Sequence, residues 1–196
     1  MHDFPLYFKL GWQHICDWQG YDHILFVTVL CGTYVLADWR KVLILVTAFT
    51  AGHSITLALS VINILHVNTS LIEFLIPVTI VITSFINIKN KRKTPGTLRL
   101  SYALALFFGL IHGLGFSNYL KSLLGRSTNI VPQLLAFNLG LEFGQVLIVL
   151  CVLTVSFILL NIIKIQRREW TLFLSSAIFG IALIMCIERY ALIHFR

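Results

Sequence analysis

Long apolar stretches alternate with short polar ones along the whole chain, and this pattern predicts the secondary structure. Six of the stretches reach the length of roughly 17 to 25 residues at which an α-helix crosses the hydrocarbon core of a bilayer. We place them at residues 22–38, 41–65, 71–88, 98–117, 132–163 and 172–193. The pattern therefore predicts an all-α fold, a polytopic membrane bundle with six transmembrane helices.

Residues 4–19 are predicted to lie outside this bundle. Their apolar positions are interrupted by Gln13, His14 and Asp17, which makes the segment too polar to span the membrane. Its two tryptophans suit the boundary between lipid and water. We therefore expect an interfacial or re-entrant segment on the outward-facing side.

Composition and charge agree with a membrane protein. The chain is 58% hydrophobic and 12% charged, and its 15 Lys and Arg against 8 Asp and Glu give a net charge of +7. The loops after the first, third and fifth predicted helices hold ten of the basic residues, and the opposite face holds five. Because positive loops stay in the cytoplasm, we predict that both termini face outward and that the charge does not serve nucleic-acid binding.

The chain is predicted to form a single membrane domain, residues 1–196. Residues 1–21 would be the outward-facing segment, and the two three-helix halves 22–88 and 98–193 would be joined by a basic cytoplasmic loop. The sequences FTAGH and FGLIH share an F-x-x-x-H spacing, which hints at an internal repeat.

Ionisable side chains lie within or at the start of several predicted helices, where they are costly and mark functional sites. A rise of about 1.5 Å per residue puts His53 about 18 Å and His112 about 20 Å from the inner boundary of the bilayer. The same estimate puts His23 about 22 Å from that boundary and Glu142 about 15 Å from the outer one. In a core about 30 Å thick, these four residues share one layer, which predicts a common site.

Imidazole and carboxylate groups together suit a divalent ion such as zinc, nickel, cobalt or iron, whereas copper(I) favours sulfur. The four cysteines show no CxxC spacing, so a thiolate site has no support. We therefore predict a divalent metal ion as the guest. The predicted ligands are Asp22, His23, His53, His112 and Glu142.

His14 is a further candidate ligand, provided that Gly20 breaks the helix so that His14 can fold back towards the site. Asn138 and Gln145 flank Glu142 on its own helix face, where they could support a ligand or tie helices together. A single buried histidine is also often only a hydrogen-bond donor between helices. The prediction of a metal site depends on the whole set.

Five blocks of the sequence resemble, in order, the signature blocks of the HupE/UreJ family of bacterial membrane proteins. They are GWQHICDWQGYDHILF, TAFTAGHSITLAL, IEFLIPVTI, FFGLIHGLGF and LLAFNLGLEFGQV. The resemblance covers nearly the whole chain and implies a nickel or cobalt permease of the bacterial inner membrane. It adds Ser54, Thr56 and Glu73 as residues beside the ligands or along an ion path, and it repeats His14 in the opening motif.

Three functions use these residues. The first is a permease that captures divalent nickel, cobalt or zinc from the outer side and passes it through the lipid bilayer. The second is a membrane-embedded zinc hydrolase in which Glu142 or Glu73 is the general base and Ser54 assists. The third is a metal sensor or assembly factor, and the small-residue helix faces would suit association of two copies of the chain.

Overall fold

A computed structural model describes residues 4–18, 20–65, 67–90, 95–124 and 130–194. Within these residues the chain is helical and contains no strand, which confirms the predicted all-α membrane bundle. The helices are α1 (Phe4–Ile15), α2 (Asp22–Cys31), α3 (Trp39–Val61), α4 (Thr69–Lys89), α5 (Pro95–Leu124), α6 (Val131–Phe157) and α7 (Arg167–His194). A short 3₁₀ turn, Leu36–Asp38, precedes α3, and a π-helical turn, Ile158–Ile162, follows α6.

The two ends of the bundle differ. We call one the open end, because a large cavity enters there; α3, α5 and α7 finish at it, and α1, α4 and α6 begin at it. We call the other the basic end, because it carries Arg40, Lys41, Lys89, Arg167 and Arg168. Helix α1 begins and α7 ends at the same end of the bundle.

Helices α3 and α5 run in the same direction and pack at close range because glycines line their contact. A Cβ placed on Gly109 would lie 2.2 Å from the carbonyl oxygen of Phe49, and one placed on Gly113 would lie 2.3 Å from that of His53. Gly52 is equally close to the backbone of α5. Small residues allow this approach between membrane helices. The consequence is that His53 and His112 are held on adjoining backbones.

Helix α1 belongs to the segment predicted to be interfacial or re-entrant, and it is packed against the bundle. It packs along α6, with Tyr7, Gly11 and Ile15 buried. A Cβ on Gly140 would lie 2.0 Å from the carbonyl oxygen of Phe8, and one on Gly144 would lie 2.2 Å from Ile15. The glycines of α6 thus admit α1 into the bundle, and α1 runs from the open end inward.

The predicted transmembrane helix at 22–38 was wrong. Helix α2 has only 10 residues, about 15 Å, which is half of a hydrocarbon core. Beyond it Val35 is extended, and the carbonyl of Thr33 accepts a hydrogen bond from Arg167 at 2.8 Å instead of continuing the helix. Five helices in the described residues are long and apolar enough to cross a membrane. In place of the sixth predicted span the chain forms the two short helices α1 and α2, which follow one another.

The other predicted spans agree with α3 to α7 to within a few residues, apart from longer ends on α5 and α7. At the basic end, Arg168 donates hydrogen bonds to the carbonyls of Ile88 at 2.5 Å and Asn90 at 3.3 Å, where α4 finishes. A cationic side chain is favourable at a helix C-terminus because the last carbonyls have no partner within the helix. Helices α4 and α7 are joined in this way.

Replacement of Gly113 by alanine should destabilise the bundle, because its Cβ would collide with the backbone of His53. Overpacking of this kind costs about 1–3 kcal/mol. We expect Gly113→Ala to lower the thermal midpoint in detergent. Gly180→Ala is the matched control, since a Cβ there meets nothing within 4 Å. Equal midpoints for the two variants would contradict the close packing of α3 against α5.

Candidate metal centre

Four histidines from four helices converge where α1 and α2 meet. One ligand nitrogen each from His14, His23 and His53 lies within 4.8 Å of the other two. The rings of His14 and His23 are 4.7 Å apart between centroids, and the ring of His112 is 5.1 Å from that of His23. The loop between α1 and α2 makes this possible, because it places His14 and His23 side by side although they are nine residues apart in sequence.

Three of these imidazoles are buried and His14 is half-buried, but all four carry ring nitrogens without hydrogen-bond partners among the described residues. His53 and His112 are 0% exposed, and His23 is 5% exposed. The nitrogens without a partner among the described residues are His14 Nε2, His23 Nε2, both nitrogens of His53, and His112 Nδ1. A buried polar atom left unpaired costs about 1–3 kcal/mol. These unpartnered nitrogens, together with the short distances among the ligand atoms of His14, His23 and His53, make the cluster able to hold a metal ion.

Asp22 fixes which nitrogen of His23 is available. Its Oδ1 lies 3.0 Å from Nδ1 of His23 and also accepts the backbone N–H of His23 at 2.8 Å. A carboxylate accepts only, so Nδ1 carries the proton and Nε2 keeps its lone pair for a ligand. Carboxylate–histidine pairs of this kind orient metal ligands and raise their basicity. The structure thus places Asp22, predicted as a ligand, behind a histidine.

Thr79 does the same for His112. Its hydroxyl donates to the carbonyl of Ile76 at 2.7 Å, and its oxygen lies 3.0 Å from Nε2 of His112. Because the hydroxyl proton is already used, Nε2 of His112 is the donor and Nδ1 keeps the lone pair. The hydrogen bonding therefore assigns a lone pair to the nitrogen of His112 that has no partner.

Aromatic rings enclose the four imidazoles. Phe116 and Phe137 are stacked with centroids 5.1 Å apart, and Phe116 lies 3.8 Å from the ring of His14. On the side towards the basic end, Phe26 and Phe49 each lie 5.1 Å from the ring of His112. These rings give the imidazoles apolar surroundings on this side, which strengthens electrostatic interactions at the centre.

A cavity of about 820 Å³ leads from the open end to the histidines, and we call it the vestibule. Its lining includes His14, His23 and His112, whereas His53 is not among the lining residues. Asp17 and Asp22 line it as well, together with an ion pair between Glu73 and Arg189 of 2.8 Å.

The predicted ligand Glu142 is not brought together with the histidines. Its Oε1 accepts a hydrogen bond at 2.9 Å from the hydroxyl of Thr47, which is exposed on the outside of α3. One turn further along α6, Gln145 is fully buried and accepts a hydrogen bond from Thr50 at 2.7 Å, while its Nε2 has no partner. These two residues connect α3 to α6, and ligation by Glu142 stays a prediction.

The remaining predicted residues have separate surroundings. Ser54 donates to the carbonyl of Thr50 at 2.7 Å, and Thr56 donates to that of Gly52 at 3.2 Å, so both hydroxyls are used within α3. Glu73 lines the vestibule, and Oδ1 of Asn138 is buried with no hydrogen-bond partner among the described residues.

Sequence reasoning missed the partnership of Thr79 with His112 and the ion pair of Arg189 with Glu73. A signal for the first existed, because Thr79, Thr83 and Asn87 follow one another at four-residue spacing and so share a face of α4. The residues of the second pair are 116 positions apart in the sequence, so no local pattern could indicate the ion pair.

The fold and the centre define a class: a multi-pass helical membrane protein with a buried histidine cluster able to hold a metal ion. The family profile described as HupE / UreJ protein matches residues 1–189, and the chain belongs to the HupE/UreJ family. This confirms the resemblance found in the sequence. Comparisons with curated proteins and with solved structures returned no match.

Replacement of Asp22 by asparagine should weaken metal binding, because a neutral amide polarises the imidazole of His23 less than a carboxylate does. Partners of this kind affect metal affinity by about 10- to 100-fold. We expect that loss for Asp22→Asn in a titration of the purified protein with nickel(II). Asp17→Asn removes the same charge from the vestibule and should change the affinity little. An equal loss in both variants would show that only the vestibule charge matters.

Proposed function

We propose that the protein is a permease for a divalent transition-metal ion, which binds at His14, His23, His53 and His112. One observation carries the proposal: four neighbouring imidazoles, three of them buried, carry unpartnered nitrogens, and ligand atoms of His14, His23 and His53 lie within 4.8 Å of one another. An ion that accepts these lone pairs would remove the cost of burying them. The family, which is associated with nickel and cobalt transport, supports the same function.

The ligand chemistry limits the ion. Neutral imidazoles suit nickel(II), cobalt(II) and zinc(II), whereas magnesium and calcium prefer oxygen ligands. Among the described residues, the three side chains whose ligand atoms lie within 4.8 Å of one another are all histidines. We therefore propose nickel or cobalt as the transported ion, with zinc as a competitor for the same nitrogens.

Electrostatics favour entry of a cation through the vestibule. Three carboxylates, Asp17, Asp22 and Glu73, line it against the single guanidinium of Arg189 among the lining residues. Clefts lined by one sign of charge raise the local concentration of the opposite ion. We propose that the open end and both termini face outward and the basic end faces the cytoplasm, as the distribution of positive residues predicts.

The volume of the vestibule favours a second candidate, a zinc-dependent hydrolase. A space of about 820 Å³ exceeds the need of one ion and is the size of a pocket for a small molecule. A hydrolase also needs a carboxylate free to act as general base on a metal-bound water. Asp22 is bonded to His23 and Glu73 to Arg189, so these two carboxylates have other roles. This is why we place the permease first.

Uptake by proteoliposomes tests the permease directly. Vesicles that contain the purified protein and an enclosed metal-sensitive dye should take up nickel(II) added outside. We expect His53→Ala and His112→Ala each to lower both nickel affinity and uptake by at least about 100-fold, since each removes a direct ligand.

Ser122→Ala is the control, because this exposed serine lies on α5, the helix that carries His112, and donates only to the backbone of Tyr119. It should transport as the unchanged protein does. Uptake that persists in both histidine variants would contradict the permease. Nickel binding without uptake, together with metal-dependent cleavage of a lipid or peptide substrate, would favour the hydrolase.

A further inference from the structure

Three of the histidines each have a phenylalanine on the same helix, one turn closer to the basic end. The pairs are His23 with Phe26, His53 with Phe49, and His112 with Phe108. Phe26 lies 4.9 Å from Phe49 and 6.0 Å from Phe108 between ring centroids, and all three rings are buried. We call these three rings the phenylalanine layer. It separates the histidines from the basic half of the bundle.

A second, smaller cavity of about 30 Å³ lies beyond this layer, and Phe108 lines it. Its polar lining comes from α4, α5 and the segment after α2, and we call it the inner cavity. The lining residues with side-chain oxygen are Tyr34, Thr83, Asn87 and Ser101. One water molecule needs about 10–15 Å³, so this volume holds an ion with about one water molecule.

Helix α4 connects the histidine centre with the inner cavity. Thr79 contacts His112 at 3.0 Å, and Thr83, one turn further, donates its hydroxyl to the carbonyl of Thr79 at 2.8 Å. Thr83 and Asn87 then line the inner cavity. Because Thr79, Thr83 and Asn87 are spaced by four residues, their oxygen atoms form one stripe along α4, from His112 to the inner cavity.

We propose that the inner cavity is a second binding station for the transported ion, which holds a partly dehydrated divalent cation with neutral oxygen ligands. This inference rests on the proposed permease function. Neutral hydroxyl and amide oxygens bind nickel or cobalt more weakly than imidazole nitrogens do. An ion that moves from the histidines to the inner cavity therefore passes from a tight site to a weak one, from which it can leave.

The basic end closes the inner cavity. Asn87 donates to the carbonyl of Val29 at 2.7 Å, which fixes α4 against α2. Arg168 binds the carbonyls of Asn87, Ile88 and Asn90 beyond it. Release to the basic side thus requires α7 to move its guanidinium away from the end of α4.

The test is to fill the inner cavity without touching the histidines. Ala105 is fully buried and lines the cavity, so Ala105→Val adds two methyl-sized groups to a small space. We expect nickel(II) uptake by proteoliposomes to fall at least about tenfold, a barrier increase near 1.4 kcal/mol. Equilibrium binding of nickel(II) to the purified protein should stay unchanged. Ala103→Val, two residues away on the exposed face of α5, is the matched control and should alter neither.

A second variant keeps the result decisive if Ala105→Val also disturbs the histidine centre. Thr83→Val removes the hydroxyl without a change of shape and should slow uptake several-fold with binding preserved. Uptake at the control rate in Thr83→Val would overturn the inner station, whatever Ala105→Val does. Normal binding with no uptake by the unchanged protein would overturn the permease and the station with it. Normal uptake in all variants would overturn the station alone.

Discussion

Imidazole nitrogens that are buried without hydrogen-bond partners are the constraint from which the rest of this structure follows. His53 and His112 are fully buried, and phenylalanine rings cover the cluster on the side towards the basic end, while the vestibule reaches His14, His23 and His112 from the open end. Protein groups satisfy one nitrogen on His23 and one on His112, through Asp22 and Thr79, and leave the other nitrogen of each ring free. A partner from outside the chain is the remaining way to compensate their burial.

The architecture serves to bring these four rings together. Glycines at the α3–α5 contact hold His53 and His112 on adjoining backbones, and glycines of α6 admit α1 into the bundle. The break between α1 and α2 then delivers His14 and His23 from two short helices that follow one another. Discontinuous helices of this kind supply ion sites near the middle of membrane bundles, because their ends leave side chains and backbone groups free for ligation. Stability and site geometry depend on the same helix contacts.

Much of the fold could be predicted from local pattern, and the errors lie where tertiary contacts decide. Helices α3 to α7 are long apolar runs, and their length alone identifies them. The run 22–38 is equally apolar, yet its helix ends at Cys31 with Gly32 as the C-cap, and the carbonyl of Thr33 accepts a hydrogen bond from Arg167 of a distant helix. The polar positions of residues 4–19 suggested an interfacial or re-entrant segment, and they could not indicate that Gly11 packs against the backbone of α6 and that His14 lies beside His23 and His53.

The candidate site was predictable in outline and not in detail. Depth along a helix can be counted from sequence, so His23, His53 and His112 could be assigned to one layer, and the structure brings their rings close together. Rotation about the helix axis cannot be counted as reliably, and Glu142, which was predicted in the same layer, contacts Thr47 on the outside of α3. The four-residue spacing of Thr79, Thr83 and Asn87 indicates a shared face of α4, but the hydrogen bond between Thr79 and His112 depends on a contact between helices, and the spacing does not identify the partner.

X-ray absorption at the nickel edge tests the central claim most directly, since it reports the atoms bound to the ion in the purified, nickel-loaded protein. The account predicts a first shell with three or four nitrogen atoms, multiple scattering typical of imidazole, and no sulfur. A first shell of oxygen atoms alone, or one that contains sulfur, would contradict it.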